Sequence, residues 1–418
     1  MLDINRIRDN KAEVRKALLK RLKEGDFDLD EIIMLDDDRK KLLTEVEQLK
    51  AERNKNSKTK PNPEVIAQMK AVGEQIKKLD KEINDTEINL KNKLYALPNI
   101  PANQVPQGDE SANIILRKWG KVPKFNFTPK DHLEIGESLN IIDVKRAAKI
   151  SGSRFGYLKR EAVFLQFALV ELIMKLAIKK GFVPVIPPVL VKPEALKGMG
   201  YIDTKEDLAE RYFIEKDQLF LVGTSEQAVG PLHRGETFEK TELPNRVVAF
   251  STCFREEAGS YGKDTRGILR VHQFDKVELF SFCESEKSEK EHQFLINFEE
   301  SLWKALKIPY QVVQLAAGDM SRPSCNTVDI EAWMPGQNRY REVSSASNTT
   351  DYQARRLNIR YKNEAGKLEF VHMLNATGFP IGRTIIAILE NYQQKDGSVK
   401  VPKVLQKYVG FKVIKPKK

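Results

Sequence analysis

FREEAGSYGKDTRGILRVHQFDKVELF, residues 254–280, decides how the rest of the chain is read. Two arginines (Arg255, Arg270) and two glutamates (Glu257, Glu278) sit among strand-forming residues around a glycine-rich insert. Side chains alternate faces along a strand. Over residues 247–255 one face carries Val248, Phe250, Thr252 and Phe254 and is expected to pack. The other carries Ala249, Ser251 and Cys253 and ends in Arg255, as a strand would if a ligand lay across it. Residues 268–282 read as the return strand, with Arg270, Phe274 and Glu278 on one face. At about 3.3 Å per residue, Arg270 and Glu278 would stand roughly 26 Å apart. An anion site, an aromatic plane and a cation site in a row suit an elongated ligand with a phosphate, a flat base and an ammonium group. Cross-strand ion pairing, worth a few tenths of a kcal/mol per exposed pair, explains the same charges without a ligand. The insert GSYGKDTRG reads as a flap. It is no P-loop, because Glu257 stands where the first glycine belongs and Asp264 follows Lys263 in place of Ser or Thr.

The chain has 418 residues, 41% of them hydrophobic, enough for a buried core and for two or three domains. Its net charge of +11 suits a polyanionic partner without specifying one. Cys253, Cys283 and Cys325 stand far apart, so neither a disulfide framework nor a thiolate zinc site is expected, which fits a reducing cytoplasm. The start, MLDINRIRDNK, lacks the apolar stretch of a signal peptide, and no run of 18 apolar residues occurs. A soluble, cytoplasmic protein is expected.

The first hundred residues have a texture of their own. Residues 3–23 read as one short helix with Ile4, Ile7, Val14, Leu18 and Leu22 near one face. Leu35, Leu42 and Leu49 then repeat every seventh residue, with Ile32 and Val46 between them. RNKNSKTKPNPE (53–64) breaks the pattern, and Ile76, Ile83 and Leu90 resume it with Val72 and Leu79. Two heptad segments around one break predict an antiparallel helical hairpin, each helix about 30 residues and about 45 Å long. Between residues 50 and 81 it carries nine Lys/Arg against four acids, with Lys50, Arg53, Lys55, Lys77 and Lys78 as candidate phosphate-backbone contacts. A solvated coiled coil that needs lysines only for solubility is the other reading. ALPNIPANQVPQGDES (96–111) is a proline-rich linker. The expected domains are 1–104, with the hairpin arm at about 28–96, and 105–418. Beyond the linker a helix at 160–180 and several strands joined by short connections predict an α+β domain, an antiparallel sheet flanked by helices.

FREEAG…TRGILRVHQFDKVEL resembles motif 2 of the class II aminoacyl-tRNA synthetases, in the form used by bacterial-type seryl-tRNA synthetases. VGTSEQ (222–227) is similar to that family's serine-site segment, and REVSSASNTTDYQARRLNIRY (341–361) to its nucleotide- and metal-binding stretch. LNATGFPIGRTIIAILENYQ (374–393) resembles motif 3, and GFVPVIPPVL (181–190) the looser motif 1. The basic hairpin occupies the place of the family's tRNA-binding arm.

By position, the resemblance implies that Arg255 contacts the α-phosphate of ATP, Arg270 the γ-phosphate, and that Phe274 and Arg383 sandwich the adenine. These three arginines would be the catalytic cations. Glu257 would hydrogen-bond the adenine, with Glu256, Val271, Val343 and Ser344 also at the nucleotide. Glu278 would hold the serine ammonium; Thr224, Ser225, Glu226, Asn375 and Thr377, with Arg255, would complete the serine pocket. Glu342 and Ser345 would ligate Mg²⁺ between the phosphates. In a flat strand those two face opposite sides, so a bulge is required between them. The resemblance also implies a homodimer through motif 1 at Pro188, tRNA(Ser) with a long variable arm as partner, and tRNA(Sec) as a further one.

The chemistry implied needs little acid–base help. A serine carboxylate is already a nucleophile at neutral pH, so the protein must supply alignment and positive charge. His272 is read as structural and Cys253 as a small filler. Motif 3 departs from the family at Ala376, where glycine is usual, and at Pro380; motif 2 departs at Glu256. A carrier-loading paralogue and a catalytically silent RNA-binding protein are the rival readings. The basic arm speaks against the first, and the intact Arg255, Glu278, Glu342 and Arg383 against the second.

Overall fold

The computed structural model describes residues 1–56, 63–258 and 266–416. The chain divides into two compact units, Met1–Ile100 and Pro101–Lys418. Of the expected flap GSYGKDTRG (259–267), residues 259–265 lie outside the described residues, as do Lys58 and Lys60 of the basic arm.

In the first unit the single helix expected over 3–23 is two, α1 (Ile4–Asp9) and α2 (Lys11–Leu18). Asn10 stands between them at φ −130°, ψ 40°, off the helical region. Asparagine is suited to such a break because its side chain competes with helical backbone bonding. Ile7, Val14 and Leu18 bury together on the expected face. The two heptad segments are α3 (Leu29–Asn56) and α4 (Pro63–Ala96). Proline opens α4 at the first helical position, where its missing N–H costs nothing. Val46 meets Val72, Ile76, Leu79 and Ile83 in one apolar seam, with Leu42 and Leu49 packed against it. Asp36 interrupts the apolar row of α3. Burial pushes its carboxyl up, but Lys40, Arg8 and Arg39 at 2.7, 2.8 and 3.0 Å hold it down at about 2.

The second unit is built on an eight-stranded sheet. Its strands are β1 (Ile114–Trp119), β2 (Val183–Val185), β3 (Asn245–Phe254), β4 (Gln273–Cys283), β5 (Tyr310–Gln314), β6 (Asn326–Met334), β7 (Arg339–Asn348) and β8 (His372–Pro380). Their order across the sheet is β1-β5-β6-β7-β8-β4-β3-β2, every pair antiparallel except β2 with β3. Helices α5 (Glu161–Ile178), α6 (Ser288–Leu306) and α7 (Ile381–Asn391) contribute to the main core. There Leu165, Leu169 and Leu172 of α5 meet Val277 and Leu279 of β4.

Two expectations about the opening stretch are corrected. The return strand begins at Gln273, so Arg270 lies outside the ladder and is not one of three groups on a flat ribbon. The chain instead turns back on itself here: the Arg255 N–H donates to the His272 carbonyl at 2.9 Å. On β3 both faces are covered. Ala249, Ser251 and Cys253 are buried, while Phe250, Thr252 and Phe254 are only partly so. Small residues sit on that face because a second layer, containing Met199 and Val229, packs over part of it.

Candidate active site

The central strands β3, β4, β8 and β7 bring the charges expected at the site to one region. At one end lie two buried carboxylates. Glu226 accepts from Tyr201 Oη at 2.8 Å, Asn375 Nδ2 at 2.9 Å and Gln353 Nε2 at 3.3 Å. Glu278 accepts from Asn375 Nδ2 at 3.3 Å and Thr377 Oγ1 at 3.5 Å, and its other partner is Lys276, 2.5 Å away. One amide, that of Asn375, thus bridges both acids. Burial raises the Glu226 carboxyl to about 7, with the neighbouring charge of Glu278 adding to the rise. Burial likewise raises Glu278, against the pull of Lys276. Two acids held this way are underneutralised, and a ligand ammonium would relieve them.

Thr224 and Ser225 enter this end from the segment before a single helical turn, Glu226–Val229. Thr224 Oγ1 accepts from the Glu226 N–H at 3.3 Å, and Ser225 Oγ bonds Ser251 Oγ of β3 at 2.8 Å. The hydroxyl of Ser225 is thereby committed to holding the segment on the sheet.

At the other end Arg255, Arg270 and Arg383 surround Phe274 in one pocket with Glu257, Val271 and Val343. Arg255 donates from Nε to the Gly223 carbonyl at 3.0 Å, and its guanidinium lies 5.2 Å from the Phe274 ring centre. Arg270 pairs with Glu257 at 3.0 Å. Glu257 holds a φ of +53°, a conformation rare outside glycine that turns its carboxylate toward Arg270. Arg383, on the first turn of α7, donates to the Glu342 carbonyl at 3.0 Å and pairs with its carboxylate at 3.3 Å. That guanidinium holds Glu342 below the usual carboxylate range.

The bulge required between Glu342 and Ser345 is present. On β7, Ser344 pairs with Ile330 while Glu342 pairs with Glu331, which leaves Val343 as the extra residue. Glu342 and Ser345 therefore share one face. Ser345 lies opposite Asp329 of β6, whose carboxyl is raised by burial and by the Glu342 charge and whose Oδ1 has no hydrogen-bond partner. A carboxylate, a hydroxyl and an orphaned carboxylate oxygen are the hard donors that suit Mg²⁺. Among the described residues no three His, Cys, Asp or Glu form a preassembled metal cluster. Phosphate and water would have to complete any such site.

Not every residue expected at the nucleotide is aimed there. Ser344 points into the core, where its Oγ accepts from Trp303 Nε1 at 3.0 Å. The Glu256 carboxylate engages the Tyr212 hydroxyl, leaving its backbone as the part near the site. His272 bonds the Arg255 carbonyl at 2.9 Å, the structural role read for it. Ala376, where a positive φ was the concern, is absent from the positive-φ residues and pairs normally with Leu279 and Ala346. The irregularity falls two residues on, at Gly378, unpaired between Thr377 and Phe379. A Cβ there would meet Ile173 Cδ1 at 2.0 Å.

Sequence reading missed Lys276, Tyr201 and Gln353. Lys276 was accessible to it, because a residue two before Glu278 on a strand shares its face. Tyr201 and Gln353 reach Glu226 from distant segments, and no local pattern marks them.

In the arm, Lys50 pairs with Asp80 and Lys77 with Glu74, both at 3.3 Å, and Lys78 with Glu82 at 3.9 Å. Arg53 and Lys55 fall in the last turn of α3. Exposed pairs of this kind contribute little and yield readily to a stronger anion.

Two family models match the chain: the seryl-tRNA synthetase N-terminal domain over residues 1–101, and the tRNA synthetase class II core domain (G, H, P, S and T) over 211–392. A serine–tRNA ligase of Dictyoglomus turgidum is 42% identical over the whole of both chains. One from Thermodesulfovibrio yellowstonii is 44% identical over 99% of this chain and all of its own. The crystal structure of seryl-tRNA synthetase from Pyrococcus horikoshii complexed with ATP superposes with a TM-score of 0.91 at 40% identity, covering both chains completely. With both units matched and full-length relatives above 40% identity, the chain belongs to the seryl-tRNA synthetase family, of class II architecture.

Proposed function

We propose that this chain activates L-serine with ATP and transfers it to the 3′ end of tRNA(Ser), and of tRNA(Sec), as a serine–tRNA ligase. The observation that carries the reading is the pairing of two unlike ends across adjacent strands. Glu226 and Glu278 are bridged by Asn375 at one, and Arg255, Arg270 and Arg383 are gathered about Phe274 at the other.

The serine ammonium docks on Glu278, displacing Lys276, with Thr224, Glu226, Asn375 and Thr377 around the hydroxyl. A hydroxyl bound by buried polar groups discriminates against alanine, which would leave them unpaired. Phe274 stacks the adenine, with Arg383 on its other face and Glu257 and the backbone of residues 256, 271, 343 and 344 at its edges. Arg255 aligns the α-phosphate and Arg270 the γ-phosphate. The serine carboxylate oxygen then forms a bond to the α-phosphorus as the bond to pyrophosphate breaks. No side chain need accept a proton, and the three cations stabilise the charge that accumulates. Glu342 and Ser345 are the residues that would hold Mg²⁺, which when bound neutralises phosphate charge. In the second step the terminal ribose hydroxyl of the tRNA attacks the seryl carbonyl and AMP departs.

The basic arm supplies phosphate contacts through Lys50, Arg53, Lys55, Lys77 and Lys78, suited to the long variable arm of tRNA(Ser). Homodimerisation through motif 1 is supported by exposed Phe164, Phe167 and Ile178 of α5 and exposed Val183 and Ile186 in the segment leading to Pro188. A cytoplasmic setting accords with three buried, unbridged cysteines. No helix among the described residues is long and apolar enough to cross a membrane. Pyrophosphate exchange measured across all twenty amino acids tests the reading. Serine alone is expected to support it, and exchange with another amino acid but not serine would refute it.

A further inference from the structure

A second guanidinium stands beside Arg255. Arg211 lies 5.3 Å from the Tyr201 ring centre, and that tyrosine donates its hydroxyl proton to Glu226. The two arginines flank Gly223. A Cβ built on that glycine would fall 2.6 Å from Arg211 Nη1 and 3.5 Å from Arg255 Cγ. Gly223 immediately precedes Thr224, and its carbonyl accepts from Arg255 Nε at 3.0 Å. Arg211 Nε is buried without a hydrogen-bond partner, and no carboxylate pairs with either arginine among the described residues. Of the two acids on its own segment, Asp207 is occupied in capping the helix Lys205–Ala209, and Glu210 acts on Arg211 without pairing with it. Burial, and then the like charge of Arg255, push the Arg211 guanidinium below its ordinary value. Asp207 and Glu210 act on Arg211, and Glu278 and Glu342 on Arg255, only through space, so two adjacent cations with no carboxylate in direct contact define a site for an anion.

We infer that Arg211 and Arg255 together clamp the α-carboxylate of the bound amino acid, Arg211 acting as a second substrate-binding cation at the serine end. This rests on the ligase reading above. The carboxylate is the anion concerned, rather than a phosphate, because Arg211 is tied through Tyr201 to Glu226 and not to the Phe274 pocket. Glycine at 223 leaves room for the Arg211 guanidinium, which a Cβ would displace while meeting Arg255 Cγ only at ordinary contact distance.

The test is calorimetric binding of L-serine, L-serinamide and ATP to the full-length protein and to Arg211→Met, Arg211→Lys and Gly223→Ala. Serinamide keeps the hydroxyl and ammonium but has no carboxylate. Arg211→Met is expected to weaken serine binding about 10- to 100-fold, the scale of one charge-assisted contact, with serinamide and ATP changed less than about twofold. Arg211→Lys should recover part of the loss, and Gly223→Ala should resemble Arg211→Met. Equal weakening of serine and serinamide, weakening of ATP alone, or no change in serine binding would each overturn the inference. Serine-dependent exchange by the unaltered protein examines the ligase reading separately, so the two can fail independently.

Discussion

The Lys276 ammonium stands 2.5 Å from the Glu278 carboxylate, and both side chains are almost completely buried. On the proposed function, this lysine stands where the substrate ammonium would dock. Removing one member of a buried pair leaves the other uncompensated, at a cost of about 3–5 kcal/mol. Glu278→Gln should therefore destabilise the protein by about that amount in urea unfolding and abolish serine-dependent exchange. The double variant Glu278→Gln/Lys276→Met should regain most of the stability and none of the exchange. Recovery of exchange in the double variant would remove Glu278 from the ammonium site.

Arg270 and Glu257 form the matching pair at the end proposed for the nucleotide, at 3.0 Å. If Arg270 leaves Glu257 to meet a phosphate, Arg270→Ala should raise the KM for ATP about 10- to 100-fold while the KM for serine stays within about threefold. Steady-state exchange kinetics with each substrate varied in turn would show this. A larger effect on serine would place Arg270 elsewhere.

Glu226 gives the site a pH dependence of known sign. Its folded pKa, about 7, lies above the unfolded value, so the native state binds the extra proton between roughly pH 4.5 and 7. Stability contributed through this group is present at low pH and is lost as pH rises through 7. The difference in melting temperature between the unaltered protein and Glu226→Gln should thus shift in favour of the variant between pH 6 and pH 8. Serine binding should move the opposite way, tightening as the carboxyl ionises, and that trend should vanish in Glu226→Gln. Isothermal titration at the two pH values reads it.

Much of this site was legible from residues 254–280 alone. Alternation correctly coupled Phe274 to Glu278, and the need for a bulge followed from placing Glu342 and Ser345 on one strand. The bulge at Val343 meets that need. Arg270 was misplaced because the strand reading ran through residues 268–272, whose apolar alternation resembles a strand but whose backbone turns back on Arg255. Both-face burial of β3 was invisible for a different reason: the covering layer comes from residues distant in sequence, and small side chains look the same beneath a ligand as beneath a second layer. The heptad seam was readable since each helix carries its own period. The break at Asn10 was not, because a single asparagine is tolerated in many helices.

The arm offers a separation of the two reaction steps. Deleting residues 31–95 should leave pyrophosphate exchange within about threefold and remove tRNA charging, since the exchange residues all lie beyond residue 200. Reversing the charge at Lys77 and Lys78 together should weaken tRNA binding and flatten its dependence on salt. Loss of exchange in step with charging would make the hairpin a structural element of the catalytic unit.

On the proposed function, serine and ATP meet along β4, the ammonium at Glu278 and the phosphates at Arg255 and Arg270. A crystal structure with a non-hydrolysable seryl-adenylate analogue tests it most directly. The amine should lie within hydrogen-bonding distance of Glu278, the adenine should stack on Phe274, and Lys276 should have moved off Glu278. An analogue bound elsewhere, with the Lys276–Glu278 pair intact, would contradict it.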